Sequence, residues 1–168
     1  FHLFFDGLFN LRAAGEATDP LLLYVSCEGD FQAINKDQLD GLRRYLENGG
    51  TLFAEASKGS DGFVKSFAEI AKGVGATMKP IAKDSPVLRA HHLFASAPPG
   101  GADKGTLTGD LEKGILLSTH DYGGAWQGNV PKPDDEGSRD RIRRAVEFGL
   151  NVTAFAARRK RRAELTKV

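Results

Sequence analysis

A single α/β domain with a mostly parallel sheet is what this sequence predicts, and three observations predict it. The apolar period switches repeatedly between strand and helix along the chain. The strand-like pieces are short continuous apolar runs, the mark of strands covered on both faces. Glycines, prolines and capping residues separate the pieces at short intervals. Strand, helix, strand, helix, strand with short links implies helices on both faces of the sheet.

The first firm strand is Leu21 to Val25, a continuous run after Pro20. Asn35 then stands three residues before Gln38, which predicts a capping box opening a helix. Leu39, Leu42, Tyr45 and Leu46 follow at helical spacing, and Gly49-Gly50 supplies the stop. Thr51 to Ala54 is the second strand. Ser60 or Asp61 caps the next helix, with Phe63, Val64, Phe67, Ile70 and Ala71 as its apolar face and Gly73 and Gly75 at its end. Ala76 to Ile81 reads as a short strand that Pro80 assigns to an edge. From Lys83 to Lys113 the pattern weakens, and Pro98-Pro99-Gly100-Gly101 predicts an irregular surface insertion. Ile115 to Thr119 is the third convincing strand, and a long helix begins near Ser138 with Ile142, Ala145, Val146 and Gly149. His2 to Phe5 reads as a further strand.

The 168 residues suit one domain over 1–168, with 159–168 as a basic and disordered tail. Apolar residues are 40% of the chain and charged residues 27%, values of a globular protein. A net charge of +1 gives no general pull towards nucleic acid or acidic membrane. Cys27 is the only cysteine, so no internal disulfide and no cysteine-based zinc site can form. His91 and His92 are adjacent and point apart on a regular element, so no metal or other cofactor is expected. No apolar run reaches the ~18 residues of a membrane span. The chain begins at Phe1, which reads as a piece or processed product of a longer protein, with any leader or anchor ahead of it.

In parallel sheets ligands bind outside the carboxyl ends of the strands. Three polar loops leave those ends: Ser26 to Asp30, Glu55 to Gly59, and His120 to Trp126. They supply Glu28, Asp30, Glu55, Ser57, Lys58, His120, Asp121 and Trp126 as candidate ligand-binding residues. Cys27 or Ser57 with His120 as base, oriented by Glu55 or Asp121, has the residue types of a nucleophilic enzyme. Against it, Cys27 also reads as a small residue packed at a strand end. Ser57 reads equally as a turn and helix-cap residue, because Glu55 stands where a nucleophile elbow wants a small side chain. Lys58 is either an anion contact beside a helix start or a solvated cation. Trp126 either stacks on a sugar or base or covers the sheet edge with its indole N–H satisfied. The run Arg158 to Arg162 complements the end of a helix, and a phosphate or headgroup contact is its alternative.

Several segments together resemble the bacterial family called domain of unknown function 4159. They are Pro20 to Phe31, Leu42 to Leu52, Ser66-Phe67, His120 to Gly128 and Asn151 to Ala156, over most of the chain from Asp19 to about Arg158. The resemblance implies a three-layer, flavodoxin-like sandwich similar to class I glutamine amidotransferases, within larger secreted or membrane-associated bacterial proteins. It does not carry amidotransferase chemistry. Ala56 or Ser57 stands at the elbow position, Cys27 lies on another strand end, and His120 has no following histidine–x–glutamate partner. The expected function is therefore a non-catalytic module that binds a small polar ligand, a carbohydrate among the candidates, or a protein partner. The alternative is a hydrolase or amidotransferase-like enzyme using Cys27 or Ser57 with His120.

Overall fold

The computed structural model describes residues 10–14, 19–132 and 135–167. The strand expected at His2 to Phe5 lies outside them. In chain order the elements are β1 (Leu22–Cys27), α1 (Lys36–Glu47), β2 (Thr51–Ala56), α2 (Asp61–Gly73), β3 (Lys79–Pro80), β4 (Leu107–Asp110), β5 (Ile115–Ser118), α3 (Tyr122–Trp126) and α4 (Glu136–Leu165). The five strands form one sheet in the order β1-β2-β5-β4-β3.

The sheet is parallel at its start, as expected, and mixed beyond it, where β4 runs against its neighbours. β1 to β2 and β2 to β5 are parallel, whereas β5 to β4 and β4 to β3 are antiparallel. The reason is the connection between β4 and β5. Asp110 pairs with Ile115 across the four residues 111–114, and a link that short can only fold back as a hairpin. Asp110 fixes this turn, its Oδ1 accepting from Lys113 N at 3.1 Å and its Oδ2 from Thr77 N at 2.9 Å. β4 has only four residues and contains Gly109, whose added Cβ would lie 2.5 Å from Ile115 O, so it carries almost no apolar signal. β3 is a two-residue edge strand, shorter than the sequence run but at the edge that Pro80 requires.

Helices cover both faces. Period-two alternation along β2 sends Leu52, Ala54 and Ala56 towards α1 and α2, where they pack with Leu42, Tyr45, Phe63 and Phe67. Phe53 points the other way and packs with Phe148 and Val152 of α4. All six residues of β2 are buried, as befits the strand between β1 and β5. α1 opens with the predicted capping box: Asn35 Oδ1 accepts from Gln38 N at 3.0 Å and Gln38 Oε1 from Asn35 N at 2.9 Å. α2 is capped by Ser60, whose Oγ accepts from Phe63 N at 3.3 Å. α4 begins two residues ahead of Ser138, at Glu136, with Asp135 as its cap.

Side chains of α4 hold the stretch between β3 and β4. Asn151, fully buried, accepts from His91 N and His92 N through Oδ1 and donates through Nδ2 to Val87 O and His92 O. Arg141 donates from Nε to Gly100 O and from Nη2 to Ala102 O. Pro98 and Gly100 are consequently buried, which corrects the reading of Pro98 to Gly101 as a surface insertion. The basic run is helical to Leu165, and Arg159 donates to Leu46 O at 2.7 Å and to Lys113 O at 2.8 Å. Lys160 is 7% exposed. Arg159 thus ties α4 to α1 and to the hairpin turn, and Arg158 donates to Ala90 O.

Candidate functional site

The site is built outward from Glu55. Alternation places this residue on the α4 side of β2, at the strand's carboxyl end, and it is fully buried. Its Oε1 accepts from Tyr122 N at 2.7 Å, and its Oε2 accepts from Gly123 N and from Tyr24 Oη, both at 2.7 Å. The first N–H groups of a helix have no partner within it. Asp121 precedes α3 but makes no side-chain cap, and Glu55 serves instead. Burial raises the Glu55 pKa above 4.5, while the donors Tyr24, Gly123, Tyr122 and Ser118 oppose that shift. Burial and the neighbouring Glu55 carboxylate raise the pKa of both Tyr24 and Tyr122.

This anchoring sets the loop after β5. Asp121 adopts left-handed backbone angles (φ 59°, ψ 52°) and is 7% exposed. Its carbonyl accepts from Gly101 N at 2.8 Å and from Ala125 N at 3.1 Å, and its Oδ1 meets Ser57 Oγ at 3.2 Å. Glycine is required at position 100, because a Cβ there would sit 2.2 Å from His120 O. On the facing loop, Lys58 also has left-handed angles (φ 51°, ψ 23°), and its Nζ lies 2.7 Å from Glu28 Oε1 in an exposed ion pair.

Between these loops lies a cleft of about 690 Å³. Glu28, Ser57, Lys58, Asp121 and Trp126, all expected from the sequence, line it, and Glu55 stands behind its Gly123 wall. Trp126 is 37% exposed, and its Nε1 donates to Ala145 O at 3.0 Å. Its ring lies 5.5 Å from that of Tyr24 and 6.5 Å from that of Tyr122, so the indole both covers the sheet and borders the cleft.

Other candidates lie elsewhere. The Asp30 carboxylate packs against Gly62 in the first turn of α2. The His120 ring packs on Tyr122 and Gly105, and burial with the nearby Arg141 charge lowers its pKa below 6.5. Alternation sends Leu23, Val25 and Cys27 to the α1–α2 face of the sheet, opposite the cleft. Cys27 Sγ accepts from Gly29 N at 3.4 Å. Neither Cys27 nor Ser57, the nucleophiles of the alternative reading, hydrogen-bonds to His120 among the described residues. No group of three potential metal ligands is found among the described residues either.

Sequence reasoning missed Tyr24, Ser26, Gln127 and Asn129, which complete the lining. Tyr24 was hidden inside an aliphatic run. The available signal was its hydroxyl, which a tyrosine packed on a sheet must satisfy. No helix among the described residues is long and apolar enough to cross a membrane. No curated protein matches the chain. Residues 18–157 match the family described as Domain of unknown function (DUF4159), and with most of its length covered the chain belongs to that family.

Proposed function

We propose that this chain is a binding module for a small polar ligand held in the cleft at the carboxyl ends of β1, β2 and β5. Glu28, Ser57, Lys58, Asp121 and Trp126 are its expected contacts, joined by Tyr24, Ser26, Gln127 and Asn129. The observation that carries this reading is the pair of strained residues. Three non-glycine residues, Lys58, Asp121 and Lys132, adopt the left-handed region among the described residues, and the first two line this cleft. Such conformations cost about 1–2 kcal/mol each and collect where a binding site needs fixed side chains. Glu55, the Gly100–Gly101 backbone and Arg141 over-determine Asp121 in support of this reading.

The lining suits a neutral or cationic ligand with several hydroxyl or amine groups. It offers two serine hydroxyls, two side-chain amides, two carboxylates and one paired lysine beside two aromatic rings. The frame, with parallel β1, β2 and β5 and helices on both faces, is the part consistent with an amidotransferase-like, flavodoxin-like ancestry. The enzyme reading has weaker support, because Cys27 faces away from the cleft and Ser57 is engaged by Asp121 rather than by His120.

A thermal-shift screen of monosaccharides, amino sugars and small amines tests the proposal. A ligand at a hundredfold excess over Kd stabilises its protein by about 2.7 kcal/mol, which raises Tm by roughly 5–10 °C for a chain this long. The shift should vanish in Asn129→Ala and Ser26→Ala and persist in Cys27→Ser. A shift that survives both cleft variants, or the absence of any shift across the screen, overturns the assignment.

A further inference from the structure

The polar cleft does not end at its aromatic wall. Tyr24 and Trp126 also line a second cavity of about 400 Å³, which runs between β1 and α4. Its other walls are mostly apolar: Leu22 and Phe53 from the sheet, Val146, Leu150 and Val152 from α4, with Gly149 and Thr153, whose hydroxyl donates to Gly149 O. Tyr24, Trp126 and Val146 are 42%, 37% and 46% exposed, and all three border this groove. A contiguous exposed apolar surface of this kind marks an interaction site. The two cavities therefore meet at a shared pair of rings, one side polar and the other almost wholly apolar.

Charge sets the polar end. Glu28 is neutralised by Lys58 at 2.7 Å. Asp121 has the Ser57 hydroxyl as its side-chain partner, feels the Lys58 charge at longer range, and takes part in no direct ion pair among the described residues. The cleft thus presents one cation against two carboxylates, and the faces of Tyr24 and Trp126 add a favourable environment for positive charge.

We propose that cleft and groove together hold one amphiphile, with a primary ammonium head beside Asp121 and a single unbranched alkyl chain along Leu22, Phe53 and Val146. This rests on the cleft being a ligand site. The tyrosine and tryptophan rings then form the waist of the ligand path, flanking the carbon that joins head to chain.

The test uses n-alkylamines from ethylamine to decylamine, with alkanoates and alkanols of equal length, all below their micellar concentrations. Binding is read by calorimetry and by the emission of Trp126, the only tryptophan of the chain. Affinity should climb about fourfold with each methylene until the groove is filled, and the amine should exceed the alkanoate of equal length by at least tenfold. Val146→Asp, at an exposed helix position, should flatten the chain-length series and leave ethylamine binding intact. A flat series in the native chain with ethylamine still bound overturns the amphiphile and spares the cleft. Loss of binding for every short polar ligand removes both. Sedimentation showing self-association that Val146→Asp abolishes assigns the groove to a second copy and overturns the proposal.

Discussion

Glu55 accepts the backbone N–H of Tyr122 at 2.7 Å across 67 residues of sequence, so a sheet side chain performs the cap that a helix normally finds in its own neighbour. Tyr24 of the edge strand and the first two N–H groups of α3 all donate to this one carboxylate. The position of the whole loop from His120 to Trp126 depends on it.

Glu55→Gln preserves volume but turns an NH₂ towards N–H groups that need an acceptor. We expect a loss of about 2–4 kcal/mol in urea unfolding, in the range for a buried charge-assisted bond broken on one side. The amides of Tyr122 and Gly123 should then exchange hydrogen much faster. Unchanged protection at those two amides would refute the capping role.

His120 carries the pH prediction. Its pKa is lowered in the folded chain by burial and then by Arg141. The unfolded state therefore binds a proton more readily than the folded state between the folded value and 6.5. Stability from this group is fully present above 6.5 and is lost as pH falls towards the folded value. Unfolding free energies measured from pH 7.5 down to 5 should fall less steeply in His120→Phe than in the native chain. Parallel profiles for the two proteins would contradict the lowered value.

Gly100→Ala tests the packing of the Pro98 to Gly101 segment. The added methyl would approach His120 O to 2.2 Å, a backbone atom that cannot swing aside. Overpacking of this type costs typically 1–3 kcal/mol, and denaturant midpoints report it directly. Gly128→Ala provides a contrast of another kind. There the space is open but φ is +82°, so its cost is purely conformational.

Lys58→Gly should move stability and binding in opposite directions. Glycine relieves the left-handed strain at φ 51° and loses only an exposed ion pair, which is worth little. We expect a gain of about 0.5–1 kcal/mol in unfolding free energy together with weaker ligand binding in the cleft. A loss of stability would show that Lys58 is held there by contacts that lower the cost of its conformation.

The parts of the structure legible in the sequence are those where local chemistry decides. Asn35 with Gln38, Ser60 before Phe63 and the runs at β1, β2 and β5 each act within a few residues, and each forms where expected. β4 was illegible because Gly109 is needed for backbone approach, a demand imposed by Ile115 across the hairpin. α3 was illegible because its cap lies on β2 and its first turn is Tyr-Gly-Gly, poor helix material without that cap. For the site, the three loops were readable from where strands end. The facing of each side chain was not. One residue of strand register separates Ser26, in the cleft, from Cys27, on the opposite face.

The position of β5 between β4 and β2 also orders the assembly of the molecule in time. Ile115 meets Asp110 through a turn that closes almost at once, but it meets Leu52 only after 62 intervening residues have been drawn together. Pairing of β2 with β5 closes the longer loop, and Glu55 comes beside Ser118 only when it is complete. A chain that has formed its hairpin and its two early helices has no cleft. The cleft is therefore complete only after this long-range pairing, and a ligand held there would slow unfolding without hastening the first steps of collapse.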